Sequence, residues 1–235
     1  MMAAGTEDTM NVLITGTSRG IGLELARQYA QDGARVLACC RSPQSTEALQ
    51  GLAKTGRVSV HAMDVADENS IRAAAREIGD RPLDILINNA GISGGKNQSL
   101  DNIDTADWLQ AFQAMSIGPF RVVQAFRENL RRAENPKIVT VTSQIGASTW
   151  GSGGIYVYAS AKAAVNRVMQ SLARDLKDEA IVALVHPGWV RTDMGGANAD
   201  ISPEESAAGI RKLAAGLTRA DTGKFYKWNG DIHPW

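Results

Sequence analysis

The sequence predicts an α/β fold: a doubly wound parallel sheet of about seven strands, with helices on both faces. Apolar runs of strand length alternate with helical patterns along the whole chain, and no segment between them has the composition of a linker. Near-continuous apolar strands are typical of a sheet that is buried on both sides. We therefore expect a single domain over residues 10–235, preceded by a disordered leader at residues 1–9.

The elements follow in order along the chain. Short apolar runs predict strands at residues 11–15, 35–40, 57–63, 83–88, 137–142, 180–186 and 224–226. Apolar residues at helical spacing predict helices at residues 20–31, about 45–54, 69–78, about 106–132, 158–177 and 203–217. In such a sheet, ligands bind at the carboxyl ends of the strands. The residues just after each strand are therefore the candidate site residues.

Composition argues against several classes of protein. Twenty-five basic residues balance 25 acidic ones, which leaves no electrostatic footprint for nucleic acid or an anionic membrane. No stretch approaches the ~20 apolar residues of a membrane span, and the N-terminus lacks the apolar run of a signal peptide. Cys39 and Cys40 are adjacent on one predicted strand, so they point to opposite faces and are poorly placed for a disulfide. We expect a cytoplasmic protein without a metal site.

A glycine-rich segment follows the first strand. Gly16 allows a tight turn, Gly20 lets the backbone approach a pyrophosphate at a helix N-terminus, and Gly22 lets the helix pack closely on the strand. Glycines also mark ordinary turns, but this position between a strand and a helix favours nucleotide binding and a Rossmann-type sheet. The predicted phosphate-binding residues are Gly16, Thr17, Ser18, Arg19, Gly20, Ile21 and Gly22.

The residues after the second strand indicate which nicotinamide cofactor is bound. NAD sites usually place an acid about 20 residues beyond the glycine loop, where it binds the ribose hydroxyls. Here that position is Cys40, and Arg41 follows it. A carboxylate would repel a 2′-phosphate, whereas a guanidinium pairs with it. Arg41 and Arg19 therefore predict NADP(H), the alternative being that both are solvated surface charges.

Tyr158 and Lys162 lie four residues apart on a predicted helix and so share a face. Reduction of a carbonyl requires a hydride at carbon and a proton at oxygen. Tyr158 can give that proton, since a nearby ammonium lowers the pKa of a phenol from its usual ~10. Ser143, just after the fifth strand, can polarise the substrate oxygen. The alternative is a surface helix with one packed aromatic side chain. Tyr156 is not the candidate proton donor, because the residue four positions later is Ser160 and not a lysine.

Together the Gly-x-x-x-Gly-x-Gly spacing after Thr15 and the Tyr-x-x-x-Lys pair resemble the short-chain dehydrogenase/reductase family. The resemblance covers nearly the whole chain. The end of the segment at residues 186–194, together with Gly223-Lys224-Phe225-Tyr226 and the final Pro234-Trp235, looks like the C-factor and sniffer-type carbonyl reductase branch. The resemblance implies that Lys162 also binds the nicotinamide ribose. Further cofactor contacts that it implies are Asp64, Val65, Asn88, Ala90, Gly91, Pro187, Gly188, Val190 and Thr192, besides Tyr158 and Lys162. For Asp64 a helix cap is an alternative role, which Asp67 could fill instead.

One position departs from the family pattern. The family usually has an Asn three residues before a Gly in the long helix, where it helps hold a water that links the lysine to solvent. Here the glycine is Gly118 and the residue three positions before it is Met115, whose thioether cannot donate a hydrogen bond. Ser116 is adjacent, but one step along an α-helix points about 100° away. A core role for Met115 is equally compatible with its residue type.

The sequence supports two functions as expectations. The first is an NADP(H)-dependent oxidoreductase acting on a small-molecule carbonyl or alcohol; the second is a non-catalytic NADP-binding sensor or signalling protein. Three of four catalytic positions match, which favours the enzyme. Residues 91–99, 145–154 and 189–201 are expected to form the substrate walls, with an apolar lining from Trp150, Trp189 and Met194. A homodimer and a homotetramer both remain open.

Overall fold

A seven-stranded parallel sheet, covered by helices on both faces, dominates the computed structural model, which describes residues 9–96, 98–151 and 153–235. Its strand order is β3-β2-β1-β4-β5-β6-β7. The predicted fold class is confirmed. The strands are β1 (Asn11–Thr15), β2 (Arg35–Cys40), β3 (Val58–Ala62), β4 (Ile85–Asn88), β5 (Lys137–Val141), β6 (Ile181–His186) and β7 (Phe225–Lys227).

Eight α-helices flank this sheet in the described part of the chain. They are α1 (Gly20–Gln31), α2 (Glu47–Ala53), α3 (Glu68–Ile78), α4 (Thr105–Phe112), α5 (Gly118–Ala125), α6 (Arg127–Arg131), α7 (Tyr156–Asp175) and α8 (Pro203–Gly216). Helix α7 begins two residues before the predicted start. The predicted leader at residues 1–9 falls almost wholly on residues 1–8, which lie outside the described residues.

Side chains of alternate strand residues pack into two cores, one on each face of the sheet. On β1, Leu13 joins the core beneath α3 to α7, whereas Val12 and Ile14 join the core beneath α1, α2 and α8. Cys39 and Cys40 divide between the same two cores and are free thiols, as their adjacency on a strand predicts. The apolar strands are therefore buried from both sides.

The strand order reverses between β1 and β4, where the chain first builds outward to β3 and then returns to the other side of β1. At this switch point the loops after β1 and β4 diverge and leave a crevice. The Thr15 hydroxyl accepts hydrogen bonds from the backbone N–H groups of Asn89 and Ala90, both at 3.1 Å. The carboxyl ends of the two strands are thus tied together at the base of the crevice.

The single long helix predicted at residues 106–132 is wrong: a π-helical turn at Gln113–Ile117 and a break at Phe126 divide it into α4, α5 and α6. Pro119 explains the wide turn, because its ring excludes the carbonyl four residues earlier from normal α-helical geometry. The N–H of Gly118 instead bonds the carbonyl of Gln113. At Phe126 the backbone leaves the helical region, with φ −105° and ψ 12°.

Close packing at Gly22 generates a test of the fold. A methyl group there would collide with the carbonyl oxygen of Gly16 and lie 2.5 Å from Nδ2 of Asn89. We expect Gly22→Ala to lower the free energy of unfolding by about 1–3 kcal/mol, the usual cost of overpacking. Urea denaturation measures it. Gly51→Ala is the matched control, since a methyl group on Gly51 in α2 meets nothing within 4 Å. Equal stability of both variants would contradict the packing.

Candidate active site

A cleft of about 460 Å³ opens at the carboxyl ends of the parallel strands. Most of the residues predicted from the sequence meet in it, although they come from segments spread over the chain. These are Gly16, Ser18, Arg19, Gly20, Ile21, Gly22, Arg41, Asp64, Val65, Ala90, Gly91, Tyr158, Lys162, Pro187 and Thr192. The structure therefore gathers the glycine loop, the end of β2 and the Tyr-Lys pair into one site.

Two predicted residues of the first half of the chain lie behind the cleft wall instead of in it. The buried Thr17 hydroxyl donates to the carbonyl of Cys39 at 3.2 Å and so holds the glycine loop on β2. Asn88 is also buried, and its Nδ2 donates to the Pro119 carbonyl at 3.4 Å and the Thr140 hydroxyl at 3.5 Å. Asn88 therefore braces β4 against α5 and β5.

Three further predicted residues are not part of the main cleft wall. Gly188 packs against Ile201, and Val190 pairs with the same residue in an isolated bridge. Ser143 is buried directly after β5, and its Oγ accepts the N–H of Ile145 at 3.2 Å. Ser143 nevertheless reaches the site, because its hydroxyl lies near enough to the phenol of Tyr158 to lower the pKa of that group.

Helix α1 starts at the floor of the cleft without a side-chain cap. Its N-cap residue is Arg19, no side chain accepts from the first turn, and no acidic residue lies in that turn. The first N–H groups of a helix have no intrahelical acceptor, and together with the helix dipole they favour an anion. The N–H groups of Gly16 and Thr17 both donate to the Cys39 carbonyl, at 2.8 and 3.2 Å, and fix the loop in front of α1. This geometry fits a pyrophosphate.

The two arginines expected at a 2′-phosphate differ in their surroundings. Arg19 forms an ion pair with Asp193 at 2.7 Å, although both side chains are mostly exposed. This pair joins the glycine loop to the segment after β6, and both residues line the cleft. Arg41 lines the cleft, is exposed, and has no ion-pair partner within the described ranges. Arg41 is therefore the better placed cation.

The two acids after β3 have separate roles. The Asp67 side chain accepts the N–H of Asn69 at 2.9 Å and caps α3. Asp64 lines the cleft, and its Oδ1 accepts the N–H of Ala66 at 2.9 Å in a local turn. The cap that was one alternative for Asp64 thus belongs to Asp67.

Lys162 is a buried lysine on the second turn of α7. The residue is 5% exposed, and its Nζ donates to the Val141 carbonyl at 3.0 Å. Nζ lies 5.7 Å from the ring centroid of Tyr158. Burial disfavours the charged ammonium and lowers the pKa of Lys162 to about 8.

Burial also controls Tyr158. It raises the pKa of Tyr158 to about 12, and the hydrogen bond with Ser143 offsets only part of that rise. In the protein itself, desolvation of the phenolate outweighs the lowering of the pKa that is expected from the neighbouring ammonium. At neutral pH the phenol carries its proton, which is the form that can donate to a carbonyl oxygen.

Met115 is 1% exposed and lies in the π-helical turn, where it packs in the core and also lines the cleft. Its packing supports the core role. Ser116 does not simply point away: its hydroxyl donates to the Ala161 carbonyl at 2.8 Å, one residue before Lys162. The rotation of about 100° per residue in an α-helix does not describe Ser116, because the backbone there is π-helical.

Several cleft residues were missed by sequence reasoning. Asn89, Ala66 and Thr142 are neighbours of predicted positions and could have been found there, whereas Pro203 lies at the start of α8, away from any predicted site residue. Gln110 and Ala114 come from α4 and the π-turn, for which the sequence offered no motif. The remaining missed residues are Cys40, Met63, Met115 and Val141, whereas Ile92, Arg191, Asp193 and Met194 lie within the expected substrate walls. Of the three expected apolar residues only Met194 lines the cleft; Trp150 and Trp189 are about half exposed.

Several features lie outside the cleft. Burial lowers the pKa of His186 to about 4, so its ring is neutral, and it packs edge-on against His233. This agrees with a structural role for His186. Among the described residues, no helix is long and apolar enough to cross a membrane, and no cluster of three candidate metal ligands occurs.

The fold and the cleft define an α/β protein of the oxidoreductase class, and the comparisons with known proteins agree. The sequence matches the short chain dehydrogenase family over residues 10–201. C-signal of Myxococcus xanthus is 38% identical over 167 residues, covering 70% of this chain and 100% of that protein. The chain therefore belongs to the short-chain dehydrogenase family.

Two solved structures resemble the chain over almost its full length. The NADPH-bound carbonyl reductase from chicken fatty liver has a TM-score of 0.89 and 31% identity, covering 97% of this chain and 99% of that one. The carbonyl reductase Sniffer of D. melanogaster has a TM-score of 0.90 and 25% identity, covering 97% and 100%. The predicted resemblance to the C-factor and sniffer-type branch is thus confirmed.

The buried lysine predicts a pH dependence of stability. Because the pKa of Lys162 falls from 10.5 to about 8 on folding, the unfolded chain binds more protons between these values, and stability rises with pH there. Lys162→Met lacks this titration. Between roughly pH 7 and pH 10, we expect the free energy of unfolding of the wild type to rise by about 2–3 kcal/mol relative to that of Lys162→Met.

Urea denaturation at both pH values measures this shift. Lys54→Met, which removes an exposed lysine at the end of α2, is the control and should show no such dependence. A difference between wild type and Lys162→Met that stays constant with pH would show that Lys162 titrates normally.

Proposed function

We propose that the protein is an NADP(H)-dependent oxidoreductase that transfers a hydride between nicotinamide and a small-molecule carbonyl or alcohol. The observation that carries the proposal is the position of Tyr158, whose partly buried phenol lines the cleft near Ser143 and stays protonated at neutral pH. A phenol held in that state at neutral pH is a proton donor beside a site that fits a dinucleotide. A tyrosine that only packed in the core would not need a serine at the end of β5 and a buried lysine beside it. Here Nζ of Lys162 lies 5.7 Å from the ring centroid of Tyr158.

In the proposed reduction, the bound nicotinamide supplies the hydride that the carbonyl carbon receives. Tyr158 donates its phenolic proton to the carbonyl oxygen, so that the hydride and the proton together give the alcohol. The Ser143 hydroxyl donates a hydrogen bond to the same oxygen and stabilises the charge that develops on it. Lys162 lies beneath the phenol, where its ammonium stabilises the phenolate that remains.

For the cofactor, the proposal assigns the pyrophosphate to the uncapped N-terminus of α1 and the 2′-phosphate to Arg41. The NADPH-bound state of the chicken carbonyl reductase supports this choice. The proposed cofactor-binding residues are those predicted from the sequence. Thr17 and Asn88 do not line the cleft, and their role is to hold the glycine loop and β4 in place. We add Asn89, whose Nδ2 donates to the carbonyls of Thr15 and Gly16 at 3.0 and 3.2 Å.

The alternative of a non-catalytic NADP-binding sensor rests on Met115 alone. The packing of Met115 in the core accounts for its residue type, and Ser143, Tyr158 and Lys162 meet without it. The geometry therefore favours the enzyme.

Replacement of Tyr158 tests the proposed chemistry. We expect Tyr158→Phe to abolish carbonyl reduction while NADPH still binds, because the change removes only the hydroxyl that carries the proton. NADPH oxidation against a panel of aldehydes, ketones and quinones measures activity, and fluorescence titration measures binding. Tyr156→Phe is the matched control on the same helix, with a half-exposed ring. Wild-type turnover by Tyr158→Phe would show that Tyr158 is not the proton donor.

Replacement of Arg41 tests the cofactor choice. We expect Arg41→Ala to weaken NADPH binding by about 1–3 kcal/mol, the range for a hydrogen bond to a charged group, and to leave NADH binding nearly unchanged. Arg35→Ala, at the opposite end of β2 and exposed, controls for the loss of a positive charge. Tighter binding of NADH than NADPH by the wild type would refute the assignment.

A further inference from the structure

The first turn of α7, which carries Tyr158, lacks a capping side chain of its own. Ile155 occupies the N-cap position, and its apolar side chain accepts no hydrogen bond. The first intrahelical bond in this turn runs from the N–H of Ala159 to the carbonyl of Ile155, at 2.9 Å. The N–H of Tyr158 is therefore one of the donors that a helix leaves without an intrahelical partner.

Gln98, which lies 60 residues earlier, supplies the acceptor. Its Oε1 accepts the N–H of Tyr158 at 2.9 Å. Nothing in the family motifs or in the helical pattern of α7 indicates this contact, because Gln98 lies in the loop after β4, far along the chain from the helix that it caps. The backbone of the proposed proton donor is thus held by a side chain from another loop.

The same amide also holds the rim of the cleft. We call residues 91–96 the lip loop, because Gly91 and Ile92 line the cleft. Nε2 of Gln98 donates to the carbonyl of Ser93 at 2.7 Å and is 3.4 Å from the carbonyl of Gly95. One side chain therefore joins two backbone segments: its oxygen binds α7 and its nitrogen binds the lip loop.

Close packing between the lip loop and α7 supports the same connection. Gly94 has a φ of +83° and is buried against the helix. A methyl group there would lie 2.7 Å from Cγ1 of Val157 and 3.5 Å from the nitrogen of Tyr158. The lip loop therefore approaches α7 as closely as a residue without a side chain permits.

We propose that Gln98 is a positioning residue with two separable arms: its oxygen fixes Tyr158 for proton transfer, and its nitrogen fixes the lip loop against which substrate binds. The inference rests on the proposed function, in which Tyr158 is the proton donor. Misplacement of a reacting group by about an ångström costs rate, so loss of the oxygen arm lowers kcat. Loss of the nitrogen arm loosens the rim of the cleft and raises KM.

Two substitutions separate the arms. Gln98→Met has a similar volume and removes both arms, so we expect kcat to fall roughly 3- to 10-fold, as for a lost hydrogen bond, and KM to rise. Gln98→Glu keeps an acceptor for the N–H of Tyr158, in a position that a helix N-terminus favours, but it cannot donate to Ser93 and Gly95. We expect Gln98→Glu to keep kcat within about twofold of wild type and to raise KM.

The assay uses the full chain, NADPH and the carbonyl compound that the wild-type protein reduces fastest. Leu100→Ala, a change of a 79% exposed side chain two residues away and outside the expected substrate wall, is the control for the loop and should leave kcat and KM unchanged. Gly94→Ala, which forces the lip loop away from α7 while keeping Gln98, should raise KM as well.

Amide hydrogen exchange at Tyr158, read by NMR, gives a measurement that does not depend on turnover. We expect exchange roughly 3- to 10-fold faster in Gln98→Met and close to wild type in Gln98→Glu. An equal loss of kcat in both Gln98 variants would overturn the inference. So would wild-type kinetics in Gln98→Met, even with a lower melting temperature, since Gln98 would then be only structural.

Failure of the proposed function is a different result. It would appear as turnover by Tyr158→Phe at the wild-type rate, whatever the Gln98 variants do. An inactive Tyr158→Phe beside a fully active Gln98→Met would leave the proposed function standing and reject the role of Gln98.

Discussion

The hydroxyl of Thr15 joins the carboxyl ends of β1 and β4, and the rest of the site depends on this contact. It accepts two backbone N–H groups from the segment after β4, at 3.1 Å each. Because the strand order reverses between these two strands, their loops separate above the contact and leave a crevice. The glycine loop, the lip loop and the segment after β6 all border the opening that results.

Burial sets the protonation of the groups in that opening. Tyr158 and Lys162 are both desolvated, so the pKa of the phenol rises to about 12 and that of the ammonium falls to about 8. Both shifts disfavour the charged form of the group, which is the phenolate for Tyr158 and the ammonium for Lys162. The protein holds the tyrosine in its acidic form at neutral pH and retains a lysine whose charge can respond to what binds beside it.

Contacts between distant segments hold these groups in place. Arg19 pairs with Asp193 across 174 residues, and Gln98 reaches the N–H of Tyr158 across 60. On the far side of α7, the indole N–H of Trp108 donates to the Ser160 hydroxyl at 2.7 Å. Helix α7 is therefore supported from α4 and from the loop after β4, while its N-cap residue contributes no side-chain bond.

The sequence by itself determined the strand and helix alternation, the glycine loop, the pair Tyr158 and Lys162, and hence the parallel sheet and the edge at which the site lies. Those features are local, because periodicity and short motifs report which face of an element is buried and which residues come directly after each strand. Only the tertiary structure decided how closely the start of α5 packs on the segment after β3, where a methyl group on Gly118 would lie 2.5 Å from the carbonyl oxygen of Val65. It alone also decided that Arg19 pairs with Asp193 and that Gln98 caps α7. Such contacts depend on how loops from different strands meet in space, and no spacing along the chain records that.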